Sequence, residues 1–307
     1  MTASHQRLEA AAAALMVLLC CCWGLNQVAV KLANHGISPV MQAGIRSIGS
    51  AILVFGWMAW RRVPLFERDG SLGWGIAVGL LFAGEFVFLY WGLVFGGASR
   101  TVLFLYMAPF TVAIGAHLFV PGERLTQVKI LGLLSAFAGL FVAFGDALRL
   151  PGGNELFGDT LSFAGGVLWG MTTVMVKATR LIRINPAKTL LYQLAVSAVV
   201  LPLVSLAFGE RGIVDLSVPV VGALAFQIVL VSFASYLTWF WLMTRYPASS
   251  LSAFTMLTPL FGLLAGWQLL GEPITAALLV AMGLVVCGIY LVNRPAAPVA
   301  APAPAGD

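Results

Sequence analysis

Long apolar stretches follow one another along almost the whole chain, and short polar connections separate them. A run of about 20 apolar residues is long enough to cross a hydrocarbon layer about 30 Å thick. Hydropathy therefore predicts a series of membrane-spanning helices. The ten predicted helices cover approximately 10–33, 39–60, 72–95, 99–119, 125–145, 158–179, 187–208, 217–242, 248–270 and 274–293. None of the connections is long enough to fold as a separate soluble domain.

The composition agrees with a membrane protein. Hydrophobic residues make up 60% of the 307 residues and charged residues only 9%, whereas an ordinary soluble domain has about 25% charged residues. Soluble enzymes, secreted disulfide scaffolds and nucleic-acid-binding proteins are excluded, because one or two soluble cores could not bury so much apolar surface. We therefore expect the lipid bilayer and a small-molecule substrate as partners, and no nucleic acid.

The basic residues are distributed unevenly between the two sides of the membrane. Twelve fall on the side of the N-terminus and four on the other side, while Arg46 lies within a span. The twelve are Arg7, Arg61, Arg62, Arg68, Arg124, Lys129, Lys177, Arg180, Arg183, Lys188, Arg245 and Arg294, and the four are Lys31, Arg100, Arg149 and Arg211. Cytoplasmic connections carry an excess of Lys and Arg, so we expect both termini in the cytoplasm.

The two halves of the chain resemble each other at an offset of 146 to 150 residues. The segment CCWGLNQVAVK at 21–31 resembles GVLWGMTTVMVK at 166–177. The further matched pairs are Ala98-Ser99 with Ala248-Ser249, Pro109 with Pro259, and Gly122-Glu123 with Gly271-Glu272. Shared Trp-Gly, mid-helix Pro and loop Gly-Glu at one offset are not coincidences between apolar segments. They indicate an internal repeat.

Each repeat contains five spans, so the second copy enters the membrane from the opposite side and the copies are inverted. The predicted fold class is an all-α integral membrane protein with ten transmembrane helices in two inverted five-helix repeats. The repeats are assigned to residues 1–147 and 148–294, and the Pro/Ala-rich segment 295–307 is predicted to be a disordered tail. Inverted repeats are typical of transporters that work by alternating access.

The five-plus-five spans, the mid-helix Pro109 and Pro259 and the following Gly-Glu loops resemble the EamA-type drug/metabolite transporter superfamily. The resemblance covers the chain except its tail, and within the superfamily the chain is similar to bacterial amino-acid and metabolite exporters, including aromatic amino-acid exporters. The resemblance implies export from the cytoplasm across the bacterial inner membrane. It also implies a pathway lined by the first, third, fourth, sixth, eighth and ninth helices, with the second helix outside it.

Polar residues inside the spans are candidates for the pathway, because they are costly in lipid and usually face the protein interior. Asn26, Arg46, Glu85 and Tyr106 lie on four helices at depths of about 9 to 14 Å from the outer helix ends. Their equivalents in the second half are Thr172, Gln193, Ser235 and Met256. Both charges are thus replaced by neutral groups, so the helix packing of the repeat does not require them.

Two interpretations of the charged residues stay open. Glu85 or Arg46 could meet the ammonium or carboxylate of a zwitterionic substrate, or Glu85 could take up a proton. Alternatively, the two side chains neutralise each other between adjacent helices. The candidate pathway residues are Trp23, Asn26, Glu85, Tyr106, Trp169, Thr172 and Ser235, with Arg46 as a charge partner.

Aromatic and proline residues occupy unusual positions near mid-membrane. Trp normally prefers the interfaces, so Trp23 and Trp169 are either an aromatic wall for an apolar side chain or core packing. Pro109 and Pro259 remove a backbone donor and are either gate hinges or inert kinks. The loop acids Glu123 and Glu272 are expected to cap or brace helix ends.

The predicted function is a secondary transporter that exports small amphipathic metabolites, foremost amino acids with aromatic or large apolar side chains. The alternatives are a multidrug exporter and a non-transporting membrane enzyme or sensor. The chain lacks a catalytic set and a nucleotide-binding loop, and its four cysteines lack metal-ligand spacing. We therefore expect no enzyme activity, no cofactor and no metal. The energy coupling stays open. The oligomeric state also stays open, and a monomer is one possibility.

Overall fold

The described part of the chain forms ten long apolar helices. The structure, a computed structural model, describes residues 9–145, 152–270 and 276–294. The helices are α1 (Ala10–Ala33), α2 (Pro39–Trp60), α3 (Leu72–Gly96), α4 (Ala98–Phe119), α5 (Gln127–Phe144), α6 (Gly153–Ala178), α7 (Pro186–Ala207), α8 (Val218–Met243), α9 (Ala248–Leu269) and α10 (Ala276–Asn293). The tail 295–307, Glu272 and the predicted start of the tenth helix at 274 lie outside the described residues.

The predicted helix bounds agree with the structure to within two residues except at the start of α6. This helix begins at Gly153 and not at 158, because its first turns are polar and hydropathy assigned them to the connection. Glu155 stabilises the early start, since its Oε2 accepts a hydrogen bond from the backbone N–H of Gly152 at 3.0 Å. One turn further on, Asp159 forms a buried ion pair with Arg100 of α4.

Helices α4 and α9 are interrupted at equivalent points. Helix α4 consists of Ala98–Leu105 and a second segment from Ala108, and α9 contains a 3₁₀ turn at Thr255–Leu257. In both helices the second segment has its proline, Pro109 or Pro259, as second residue. The first N–H groups of a helix have no intrahelical partner, so the donor that proline lacks is not missed there.

The two halves of the chain interlock, because the most extensive helix contacts join one half to the other. Helix α5 packs along α10, α3 along α6, and α2 along α7. Small residues allow these close approaches: a Cβ atom on Gly132 of α5 would lie 2.7 Å from the carbonyl oxygen of Gly288 of α10. The predicted fold class, ten helices in two inverted five-helix repeats, is confirmed.

The connections alternate between two faces of the membrane. The N-terminal face, on which the described chain begins, carries the connections 61–71, 120–126, 179–185 and 244–247. The opposite face carries 34–38, Gly97 and 208–217. The candidate site lies between these faces, where the two halves meet.

Candidate functional site: a cavity between the two halves

A cavity of about 200 Å³ lies among eight of the ten helices. Its lining combines eight aromatic rings, one aliphatic side chain and eight polar or charged side chains. The lining residues are Trp23, Asn26, Gln27, Arg46, Phe82, Glu85, Phe86, Leu105, Tyr106, Trp169, Thr172, Thr173, Gln193, Tyr236, Trp239, Phe240 and Thr258. The cavity is thus an aromatic chamber in the middle of the membrane protein with a small number of ionic and amide groups in its wall.

The aromatic rings are arranged around the two tryptophans of the repeat. Trp23 meets Trp239 and Tyr236 edge-to-face, with ring centroids 5.7 and 6.2 Å apart. Trp169 meets Tyr106 in the same way at 5.6 Å. Edge-to-face contacts of this kind hold rings in defined orientations. The two equivalent tryptophans therefore contribute to one aromatic wall from opposite halves of the chain.

The glycine after each tryptophan explains how the wall is assembled. A Cβ atom on Gly24 would lie 2.6 Å from the Cβ of Phe261 in α9, and one on Gly170 would lie 2.5 Å from the Cβ of Thr111 in α4. Each glycine thus lets its helix pack directly against an interrupted helix of the other half. The preceding tryptophan lies about 100° away around the helix axis and lines the cavity.

A π-helical segment shapes the same wall from α8. The middle of this helix, Gln227–Ser235, is π-helical, and such segments are rare and frequent at functional sites. The residues that follow it include Tyr236 and Trp239 of the cavity lining. Ser235 itself does not line the cavity. Its hydroxyl accepts a hydrogen bond from Nε1 of Trp23 at 2.8 Å and so orients the Trp23 ring.

Five polar side chains of the lining carry buried atoms without a hydrogen-bond partner. These atoms are Oδ1 of Asn26, Nε and Nη2 of Arg46, Oε2 of Glu85, Nε2 of Gln193 and Oγ1 of Thr258. Buried polar groups are normally paired, because an unpaired one loses its hydration without compensation. Their concentration at one cavity indicates a site for a polar ligand with both donors and acceptors.

The two charges of the cavity are not joined to each other. The ion pairs found among the described residues link Arg100 with Asp159 and Lys188 with Asp69, and none links Arg46 with Glu85. Instead, the guanidinium of Arg46 lies over the ring of Phe86, 4.5 Å from its centroid, a favourable cation–π geometry. Arg46 and Glu85 therefore line the same cavity without a direct ion pair between them.

The structure brings together seven of the eight residues that sequence analysis selected, Ser235 being the exception. It differs from the expected set of helices, because Arg46 of α2 and Gln193 of α7 also line the cavity. Helix α2 thus lines the cavity, although the resemblance implied a position outside the pathway. Sequence reasoning missed Gln27, although a second amide beside Asn26 inside an apolar span is a usable signal. It also missed Phe82, Phe86 and Trp239, because no feature of the sequence distinguishes them from aromatic residues that face lipid.

Hydrogen bonds of Glu123 and Lys177 hold helices together at the N-terminal face. Glu123, in the connection after α4, is buried and accepts hydrogen bonds from the backbone N–H groups of Ala248 at 2.6 Å and Ser249 at 3.1 Å. It thereby caps the start of α9, as expected for this residue. At the same face, Nζ of Lys177 in α6 donates hydrogen bonds to the carbonyl oxygens of Met243 and, at 2.6 Å, of Tyr246. These bonds tie α6 to the connection between α8 and α9.

A second set of contacts braces the same face. The ammonium of Lys188 donates to Asp69 at 2.8 Å and holds the pKa of that carboxyl well below its usual range, with further hydrogen bonds from Ser71. The hydroxyls of Ser71 and Tyr192 lie 2.9 Å apart and share a hydrogen bond. These contacts tie the connection before α3 to α7. Among the described residues, no cluster of three or more His, Cys, Asp or Glu side chains could hold a metal ion.

The start of α4 differs from the equivalent start of α9. Every residue of Ala248–Phe254 is buried, whereas Ala98, the equivalent of Ala248, is exposed at the opposite face. The inverted repeat would make these two environments alike in a symmetric conformation. The described conformation is therefore asymmetric, with the N-terminal face tightly packed around α9.

Comparisons with known proteins agree with this architecture. The model of the EamA-like transporter family matches residues 10–145 and again residues 156–294. The uncharacterized transporter YoaV of Bacillus subtilis is 27% identical over 270 residues, which cover 88% of this chain and 92% of that protein. A protein of Salmonella typhimurium named as a probable amino-acid metabolite efflux pump is 25% identical over 284 residues, covering 88% of this chain and 90% of that protein.

A solved crystal structure has the same fold, with a TM-score of 0.78 at 20% sequence identity over 92% of this chain and 96% of the other. The resemblance seen in the sequence motifs is confirmed by the family match. Because the two matched segments together cover most of the 307 residues, the chain belongs to the EamA-like transporter family and is a multi-pass membrane transporter.

Proposed function

We propose that the protein exports zwitterionic amino acids with large apolar or aromatic side chains, by alternating access across the bacterial inner membrane. One observation carries the proposal: a single cavity joins an aromatic wall to one basic and one acidic side chain that are not paired with each other. A family relative named as a probable amino-acid metabolite efflux pump supports the same substrate class.

The chemistry of the lining matches the parts of such a substrate. The guanidinium of Arg46 suits a carboxylate, because its planar fork donates two parallel hydrogen bonds. The carboxylate of Glu85 suits an ammonium group, and the amides of Asn26 and Gln193 can complete the hydrogen bonding. The aromatic wall around Trp23 and Trp169 suits the apolar side chain.

The cavity volume sets a size for the substrate in this conformation. An apolar protein cavity of about 150 Å³ accommodates benzene, a molecule of six heavy atoms. By that measure, about 200 Å³ accommodates a molecule close to the size of valine or leucine. Aromatic amino acids are larger and would require a wider cavity, which separation of the two halves during transport would provide.

The direction of opening follows from two features. The excess of basic residues supports a cytoplasmic position of the N-terminal face, and at this face Glu123 of the first half binds the start of α9 in the second half. The described conformation is therefore proposed to be closed toward the cytoplasm. Exchange of the two halves' conformations would open it, with Pro109 and Pro259 as the hinges of α4 and α9. One chain contains the complete cavity, so a monomer suffices for transport.

Transport by purified protein in liposomes tests the proposal. Counterflow of labelled leucine, valine, phenylalanine and serine is compared with that of a hydrophobic cationic dye, the substrate class of a multidrug exporter. We expect leucine and phenylalanine to be transported in preference to serine, and the dye to be excluded because Arg46 repels it. Transport of the dye without transport of any amino acid would contradict the proposal.

Truncation of the aromatic wall provides a sharper version of the experiment. Trp23→Ala and Trp169→Ala are each expected to reduce transport of leucine and phenylalanine more than that of small amino acids. Trp60→Ala is the matched control, because Trp60 is 70% exposed and does not line the cavity. Equal losses for large and small substrates at normal expression would favour a packing role for Trp23 and Trp169.

A further inference from the structure

A long groove opens on the membrane-facing surface, separate from the central cavity. Helices α3 and α4 are joined by Gly97 at the opposite face. Toward the N-terminal face, Trp74 of α3 and Phe119 of α4 lie on the two sides of the groove, with α6 as its floor. The groove has a volume of about 1020 Å³. Its remaining lining is Thr111, Ile114, Gly115, Leu118, Val167, Met171, Val174, Met175, Ala178, Thr179, Arg180 and Arg183.

The length of the groove matches one leaflet of a bilayer. Its floor runs along α6 from Val167 to Ala178, which corresponds to roughly 16 Å at the rise of an α-helix. Half of a hydrocarbon core about 30 Å thick is roughly 15 Å. The groove also avoids the residues of α6 that line the central cavity, since Trp169, Thr172 and Thr173 are absent from its lining. It therefore has the length of one acyl chain and is separate from the central cavity.

The charge at the end of the groove is exclusively basic. Arg180 and Arg183, in the 3₁₀ turn that follows α6, complete the lining where the helices reach the N-terminal face. Both side chains are exposed, and the lining contains no Asp or Glu. The hydrogen bond of the Arg180 guanidinium to the carbonyl oxygen of Asp69 is long, at 3.5 Å. Both guanidinium groups thus remain available to a phosphate at the headgroup level.

We propose that the groove is a binding site for an anionic phospholipid. An acyl chain would lie between Trp74 and the second segment of α4, against Met171 and Met175 of the floor. The phosphate would be bound by Arg180 and Arg183. Basic pockets between transmembrane helices are suited to anionic lipid headgroups, and guanidinium binds phosphate in a bidentate manner. Neither the central cavity nor the proposed substrate is needed for this site.

Quenching of Trp74 fluorescence by brominated acyl chains tests the site directly. The protein is reconstituted in phosphatidylcholine vesicles that contain a small fraction of brominated phosphatidylglycerol or brominated phosphatidylcholine with identical acyl chains. The signal of Trp74 is the difference between the unmodified protein and Trp74→Phe. Because each arginine near a membrane surface contributes roughly a fivefold preference for an anionic lipid, we expect phosphatidylglycerol to quench Trp74 at about a thirtyfold lower mole fraction than phosphatidylcholine.

Matched variants identify the source of this preference. The double variant Arg180→Gln with Arg183→Gln is expected to abolish the preference for phosphatidylglycerol. The double variant Arg180→Lys with Arg183→Lys is expected to retain most of that preference. Arg61→Gln with Arg245→Gln removes the same charge from the same face outside the groove and is expected to leave the preference unchanged. The proposal is overturned by equal quenching with both lipids, by a preference that survives loss of Arg180 and Arg183, or by a Trp74 that neither lipid quenches because a second copy of the chain covers it.

Discussion

Removing the carboxylate of Glu85 should change substrate selectivity without unfolding the protein. The second half of the chain supplies the replacements, because Ser235 and Gln193 occupy the positions equivalent to Glu85 and Arg46. We therefore consider Glu85→Ser, Arg46→Gln and the double variant. In the structure Glu85 forms no direct ion pair and has one buried oxygen without a hydrogen bond, so its removal breaks no ion pair.

The size of the expected effect follows from the proposed contact with the substrate. A hydrogen bond to a charged group contributes about 1.5–3 kcal/mol, and about 1.4 kcal/mol corresponds to a factor of ten. Glu85→Ser should thus weaken leucine binding roughly 10- to 150-fold, while the free energy of unfolding changes by less than about 1 kcal/mol. If Arg46 and Glu85 were instead a structural pair, loss of one charge would cost about 3–5 kcal/mol of stability.

Competition in liposomes measures the effect with leucine and its analogue that lacks the amino group. The unmodified protein should prefer leucine, and Glu85→Ser should remove that preference, because the contact with the ammonium group no longer exists. The unmodified protein should also prefer leucine to the analogue that lacks the carboxylate, and Arg46→Gln should remove that preference. Thermal unfolding of all three variants is recorded in parallel. Recovery of both stability and leucine transport in the double variant would refute the reasoning and support a structural pair.

Three further predictions concern topology and packing. A reporter active only in the periplasm should be silent after Arg294 and active after Arg149; signal at the C-terminus would overturn the orientation derived from the basic residues. Glu123→Ala should lower the free energy of unfolding by about 1.5–3 kcal/mol, because the carboxylate caps the start of α9; an unchanged melting temperature would contradict this role. Gly24→Ala should destabilise the protein by about 1–3 kcal/mol through overpacking, whereas Gly56→Ala, where a Cβ meets nothing within 4 Å, should be neutral or stabilising in the same melting experiment.

Local patterns in the sequence were sufficient for the fold and for most of the candidate site. Hydropathy identifies each membrane span from the residues of that span alone. The internal repeat then relates the helices of the second half to those of the first. The Trp-Gly pairs and the two prolines were therefore recognisable, and the structure places Trp23 and Trp169 at the cavity and a helix interruption directly before Pro109 and Pro259. The start of α6 was misplaced only where polar residues form the first turns of a helix.

Tertiary structure alone decided which face of each helix lines the cavity. Lipid and the protein interior are both apolar, so an apolar helix carries almost no pattern that distinguishes its two faces. For this reason the sequence left open whether Arg46 of α2 lines the cavity, and Ser235 could not be recognised as a hydrogen-bond partner of Trp23. The rotation of each helix about its axis is set by contacts between distant segments, such as Gly24 against Phe261. The sequence by itself determined the spans, their inversion and the polar candidates, whereas only packing between the two halves determined which of those side chains meet.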